Sequence, residues 1–221
     1  MNAHHGTESF DVIVVGLGGP GTAAAWHLAA SGRRVLGLEQ FAFGHERGAS
    51  HDTSRILRHS CHRPDYVRLT RHAYDDWALL ECAADERFVT TTGGVDLCPR
   101  DSSIPLTDCW RSLDAEGIPY ELLDAAEVRR RWPQMSVPEG TTAMYQERTS
   151  IVPAARSTAA MRRLATAAGA QPRDHTPVTA VRHGAHGVEV DTPAGAPPER
   201  RCCAPTPGPT RSWPRSATRS R

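Results

Sequence analysis

Phe10 to Val15 form a short, β-branched and almost continuous apolar run, the pattern of a parallel-sheet strand covered on both faces. The run leads into Gly16-Leu17-Gly18-Gly19-Pro20-Gly21, after which the small residues from Thr22 to Ser31 predict a helix that Gly32 ends. Val35 to Leu38 predict a second buried strand with Glu39 at its end, which completes a β-α-β unit. Further on, Tyr66, Leu69, Ala73, Trp77 and Leu80 recur three or four apart and predict a helix from Pro64 to about Cys82. Phe88 to Leu97 predict a bent strand pair around Gly93-Gly94. Helices are expected over 101–116, 125–132 and 153–168, and a hairpin over 178–191 around Gly184-Ala185-His186.

With 221 residues, 39% apolar and 23% charged, the chain has the composition of a globular protein. No apolar run approaches the ~20 residues that span a bilayer, so a membrane is not expected as a partner. The residues before Phe10 carry neither a basic start nor an apolar core, so they are expected to be disordered and the cytoplasm is the expected location. All 26 basic residues are arginine, a sign of GC-rich codons. Residues 199–221 hold six of them and one acid, which leaves 20 arginines against 24 acids, a net −4, in the rest. That balance argues against nucleic acid as a partner. The six cysteines include no Cys-x-x-Cys pair and no histidine at ligand spacing, so reduced thiols and no metal are expected.

The glycine run carries the first chemistry. Gly16 permits a tight turn, Gly18 lets backbone approach a pyrophosphate, and Gly21 lets helix and strand pack closely. Glu39, about 20 residues on, is placed to accept hydrogen bonds from ribose hydroxyls, while the helix N-terminus offers N–H groups and partial positive charge to the phosphates. The motif alone does not separate NAD from FAD.

The segment after Glu39 separates them. Gly48, Ser50, His51, Arg55 and Arg58 fall in register with a Gly-Ser-Ser-His-Gly-x-Thr-Arg-x-x-Arg pattern, and Pro64-Asp65-Tyr66-Val67, Thr92-Gly93-Gly94, Arg131-Trp132-Pro133 and Tyr145-Gln146 also match. In these motifs the chain resembles the monomeric sarcosine oxidase and N-methyl-L-tryptophan oxidase family of FAD-dependent amine oxidases, over residues 10 to 195. The resemblance implies oxidation of a secondary, N-methyl amino acid by O2 to give hydrogen peroxide, in a monomer. It implies that His51 and Arg55 lie against the flavin as catalytic residues and that Arg58 pairs with the substrate carboxylate. The full expected cofactor-binding set is Gly16, Gly18, Gly19, Gly21, Glu39, Gln40, Ser50, His51, Ser54, Arg55 and Val178. Two positions depart from the pattern: Asp52 replaces a glycine and Ser54 a threonine. His27, His59, His62, His72 and His175 are assigned no role. Another amino-acid oxidase or dehydrogenase of this architecture and a non-catalytic nucleotide-binding remnant remain as alternatives.

The expected fold is α/β. A Rossmann-type FAD domain (10–63 and 151–195) is interrupted by part of an α+β substrate domain (64–150), and the family's C-terminal half is missing. From about residue 196 periodicity stops among Pro, Arg, Ser and Thr. Back-translated with GC-favouring codons and read two bases later, Ala204 onward yields Ala-Asp-Ala-Trp-Thr, a segment the family carries there. Residues 196–221 are therefore expected to be an aberrant, out-of-frame tail, and the chain a truncated, inactive form with weak affinity for FAD. A basic tail that binds an acidic surface is the rival reading.

Overall fold

The computed structural model describes residues 8–103, 105–184, 187–193 and 202–204. The chain divides into two compact units, Met1–Ala49 with Met161–Arg221, and Ser50–Ala160.

The first unit begins with β1 (Glu8–Ser9) and β2 (Val12–Val15), followed by α1 (Gly19–Ala30) and β3 (Val35–Leu38). β2 and β3 pair in parallel, Val12 opposite Val35 through to Val15 opposite Leu38. α1 is built from small residues and buries Thr22, Ala25, Trp26 and Ala29. This stripe recurs at helical spacing, which is why so weakly amphipathic a segment still has one inner face. Every residue of β3 is buried, as its unbroken apolar run requires.

In the second unit, β4 (Arg55–Leu57) is followed by α2 (Pro64–Ala84), β5 (Thr90–Thr91) and β6 (Gly94–Cys98). Then come α3 (Thr107–Ala115), β7 (Glu121–Asp124), α4 (Ala125–Arg131), β8 (Thr142–Gln146) and β9 (Ser150–Val152). β8 lies between β6 and β7 in one antiparallel sheet, and β9 between β4 and β5 in another. Residues on the two faces of β8 enter different cores. Met144 packs with Val67 of α2 and Leu113 of α3, whereas Ala143 packs with Leu123, Val128 and Val137. α4 starts where the Asp124 carboxylate accepts the Glu127 N–H at 2.8 Å. α2 ends at Asp85, which adopts a left-handed conformation with φ +50.

α5 (Ala154–Ala167) leads back to the first unit, where β10 (Gln171–Arg173) joins the outer side of β3 in parallel. β11 (Ala180–Gly184) and β12 (Gly187–Asp191) form the expected hairpin, whose tip residues 185–186 lie outside the described residues. β13 (Cys202–Ala204) pairs antiparallel with β12 and parallel with β1. Phe10, Leu36, Leu38 and Val190 form this unit's core, with Ile13, Val178 and Val188 packed against it.

Three expectations need correction. β5 and β6 are not partners: they pair with β9 and β8, because Gly93 at φ +69 turns the chain between them out of one sheet into another. α3 starts at Thr107 rather than Asp101, since Ser102 donates to the Pro99 carbonyl in a turn and Pro105 follows. Within the segments expected to lack structure, Glu8–Ser9 and Cys202–Ala204 form paired strands. Residues 1–7, 194–201 and 205–221 lie outside the described residues. Among the described residues, no helix is long and apolar enough to cross a membrane.

Candidate nucleotide-binding turn and arginine strand

In the first unit the glycine run forms the connection between β2 and α1. Gly16 takes φ +87, a conformation that L side chains rarely adopt. Its N–H donates to the Leu38 carbonyl at 2.7 Å, which fastens the turn to the end of β3. Gly18 is the residue before the helix and Gly19 its first, with Pro20 next. No side chain caps this end and no acid stands in the first turn, so the partial positive charge of the helix start is not offset from within the helix. A Cβ on Gly21 would stand 1.9 Å from the Gly16 carbonyl oxygen, so the first turn of α1 packs directly on backbone.

Glu39 follows β3 and is only 6% exposed. Its Oε2 accepts the Leu17 N–H at 2.9 Å, and its Oε1 accepts the Phe41 N–H at 3.2 Å and lies 3.3 Å from His45 Nε2. A carboxylate has about four acceptor positions, so these contacts leave one for a further donor. The carboxylate thus ties the glycine turn to the strand end before any ligand arrives. Gln40 is exposed, and Val178 is half-buried against the core.

The second unit holds Ser50, His51, Ser54, Arg55 and Arg58. Ser50 and His51 are half-buried in the loop before β4, and Ser54 is exposed. Asp52, which stands where the resembled family has glycine, keeps a glycine-like φ of +85. The Asp52 carboxyl is held below the usual carboxylate range, chiefly by the Thr53 N–H at 2.7 Å and in addition by the charge of Arg55. Arg55 Nη1 lies 3.6 Å from Asp52 Oδ2 and donates to the Ser54 carbonyl at 2.7 Å.

Arg58 follows β4 and donates through Nη1 to Asp96, whose other carboxylate oxygen accepts from the Ser60 hydroxyl. Sequence reasoning missed Asp96. It lies 38 residues from Arg58, and only the register of β6 brings the two together. His59, assigned no role, points elsewhere: it is 3% exposed, and its Nδ1 lies 2.8 Å from Thr70 Oγ1. The alternation of Arg58, His59 and Ser60 beyond a strand was the available signal, because successive side chains leave an extended chain on opposite sides. Burial pushes the Cys61 and Cys109 thiols up, away from the reactive thiolate.

The model of the DAO family, FAD dependent oxidoreductase, matches residues 11–208. The chain belongs to the FAD-dependent oxidoreductase family. FAD is therefore the cofactor its fold implies, and the α/β class with a parallel sheet is that of its relatives. It is 40% identical to the monomeric sarcosine oxidase of Streptomyces avermitilis over 187 residues, covering 84% of this chain and 48% of that protein. It is 29% identical to the N-methyl-L-tryptophan oxidase of Salmonella arizonae, covering 84% and 50%. Among solved structures it is similar to NikD, an amino acid oxidase essential for nikkomycin biosynthesis. There the TM-score is 0.78 at 31% identity, over 89% of this chain and 50% of that one. Glycine oxidase from Geobacillus kaustophilus shares the fold at a TM-score of 0.72 and 23% identity, over 90% and 54%. The chain spans about half the length of the curated relatives it matches.

Proposed function

We propose that this chain is the nucleotide-binding portion of an FAD-dependent oxidase that acts on the C–N bond of a secondary, N-methyl amino acid. In the proposed reaction O2 is the terminal oxidant and hydrogen peroxide the product. The observation that carries the reading is the fastening of the glycine turn to Glu39, within a chain so similar to a monomeric sarcosine oxidase. The residues present fit the adenosine and pyrophosphate end of FAD. Gly16, Gly18, Gly19 and Gly21 would hold the pyrophosphate against the uncapped start of α1, and Glu39 would accept a ribose hydroxyl at its remaining position, beside Gln40. Val178 would support the same site from the core.

When bound, the flavin supplies the hydride acceptor. In this reading Ser50 and Ser54 hydrogen-bond to the cofactor, and His51 and Arg55 lie against it, Arg55 placing positive charge beside it, with Asp52 limiting how far Arg55 can swing. Arg58 orients the substrate carboxylate. Asp96 grips one side of that guanidinium, which leaves the rest of its five-donor fork for a second anion. The relatives named monomeric oxidases support a monomer, and cytoplasmic location belongs to the same proposal.

The test is titration of the purified chain with FAD, followed by anaerobic sarcosine or N-methyl-L-tryptophan. Saturable quenching of flavin fluorescence, lost in Glu39→Ala, is expected. No saturable binding overturns the reading. Bleaching by a secondary amine would show that His51, Arg55 and Arg58 suffice for reduction, and that the chain is not an inactive form. Retained flavin that no amine reduces would instead favour a nucleotide-binding remnant.

A further inference from the structure

Three donors stand at the buried Glu39 carboxylate, and they divide unequally between its two oxygens. Oε2 accepts the Leu17 N–H at 2.9 Å, from within the glycine turn. Oε1 accepts the Phe41 N–H at 3.2 Å and has His45 Nε2 beside it at 3.3 Å. All four residues belong to the first unit.

The other nitrogen of His45 fixes where the ring carries its proton. Nδ1 accepts the Arg47 N–H at 3.0 Å, so it holds no proton itself, and the ring proton is on Nε2, the nitrogen beside Glu39. The half-buried ring is also restrained by packing. It meets Phe41 edge-on, with centroids 4.9 Å apart and planes at 71°, and the Arg47 guanidinium lies 4.7 Å from the centre of the Phe41 ring. Turning the imidazole over would forfeit the Arg47 bond and take the Nε2 proton away from the carboxylate.

Each carboxylate oxygen offers about two acceptor positions. Oε1 has a donor for each of its two, whereas Oε2 has one donor among the described residues and one position left. The open position thus belongs to the oxygen tied to the glycine turn, beside the helix start that would hold the phosphates. A carboxylate with both oxygens open can take the two neighbouring hydroxyls of a ribose, one on each. We propose that His45 is a positioning residue that closes Glu39 Oε1, so that the carboxylate accepts one ribose hydroxyl, through Oε2, instead of gripping both. The inference rests on the nucleotide-binding reading of Glu39, and it assigns His45 the choice of hydroxyl.

The experiment uses the full 221-residue chain and ADP, which carries the adenosine and pyrophosphate end of FAD, with binding read by isothermal titration calorimetry. In the parent, one of 2′-deoxy-ADP and 3′-deoxy-ADP should bind as ADP does and the other about tenfold more weakly, the loss of one hydrogen bond to a carboxylate. His45→Ala frees Oε1, so both analogues should weaken and the ratio between them should fall below about threefold. His45→Gln keeps an N–H donor at Oε1 and should keep the parental ratio. A merely structural role for His45 would weaken all three nucleotides alike and leave the ratio unmoved. Parent binding in which the two analogues lose equally, or a parental ratio in His45→Ala, overturns the proposal while the nucleotide reading stands. Absence of saturable ADP binding to the parent overturns both. The parent comparison needs no variant, so a His45→Ala chain that fails to fold leaves the proposal refutable.

Discussion

Gly21→Ala tests whether the close approach of α1 to the glycine turn is structural. The added Cβ would stand 1.9 Å from the Gly16 carbonyl oxygen and 3.4 Å from Val14 Cγ1. Helix and turn must then separate by about 1.1 Å to restore even a 3.0 Å contact. The turn has little freedom to yield, since Gly16 N–H is bound to Leu38, Leu17 N–H to Glu39, and Thr22 Oγ1 donates to the Leu17 carbonyl at 2.7 Å. Overpacking costs about 1–3 kcal/mol, and losing the bond to the buried carboxylate adds about 1.5–3 kcal/mol. A total of about 2.5–6 kcal/mol corresponds to a fall in Tm of roughly 5–24 °C for a chain of this size. Gly16→Ala provides the contrast. Its Cβ meets nothing within 4 Å, so only the left-handed conformation is penalised, by about 1–2 kcal/mol. Differential scanning fluorimetry of the two variants and the parent reads the difference. A Gly21→Ala variant that melts within about 2 °C of the parent, or no lower than Gly16→Ala, would refute the reasoning.

Asp52→Gly relieves the strain at φ +85 but forfeits the Thr53 contact and loosens the unfolded chain, so its stability in urea should change by less than about 1 kcal/mol. Asp52→Val at the same φ should cost at least about 2 kcal/mol. Asp96→Asn should lower stability by no more than about 1 kcal/mol, since Arg58 is 44% exposed and the pair is screened; a larger loss in urea would mean a desolvated pair. Because the His59 pKa is depressed on folding, the unfolded chain takes up that proton first. The His59 contribution is therefore present above about pH 6.5 and lost as pH falls, and the stability of His59→Phe should depend less on pH between 7 and 5. Glu127 is pulled down to about 2 by the guanidinium hydrogen bonds of Arg130 and Arg131. Its stabilisation is present above the ordinary carboxylate range and disappears as pH falls toward that value, and Glu127→Gln should flatten the acid limb of the stability curve.

The β2-α1-β3 unit was legible because its signals are local: a two-sided apolar run, glycines at fixed positions and one acid at the strand end. Most of the antiparallel strands were not. The inward residues of β8 are not strictly alternate, Ala143, Met144 and Gln146 all being buried, so the period of two is broken. β4, β9 and β10 are three residues each, too short for periodicity to register. β1 and β13 hold each other in place across most of the chain, a pairing that no window of sequence contains. The site divides in the same way. Gly16, Gly21 and Glu39 announce themselves by spacing, whereas the hold of Asp96 on Arg58 arises from sheet register.

The parallel pairing of β3 with β10 places Leu36 opposite Gln171, 135 residues later. On a ribosome adding about 5–20 residues per second, the outer edge of β3 waits roughly 7–27 seconds for its partner. Within that interval the intervening Ser50–Ala160 unit is synthesised to its last residue, while the first instalment of the nucleotide-binding unit stands as an open-edged parallel pair. Synthesis order thus completes the interior unit before β10 and leaves the outer edge of β3, among the oldest stretches of the nascent chain, among the last to be covered. Slow codons before residue 171 would lengthen the exposure of that edge and raise aggregation without altering a single side chain.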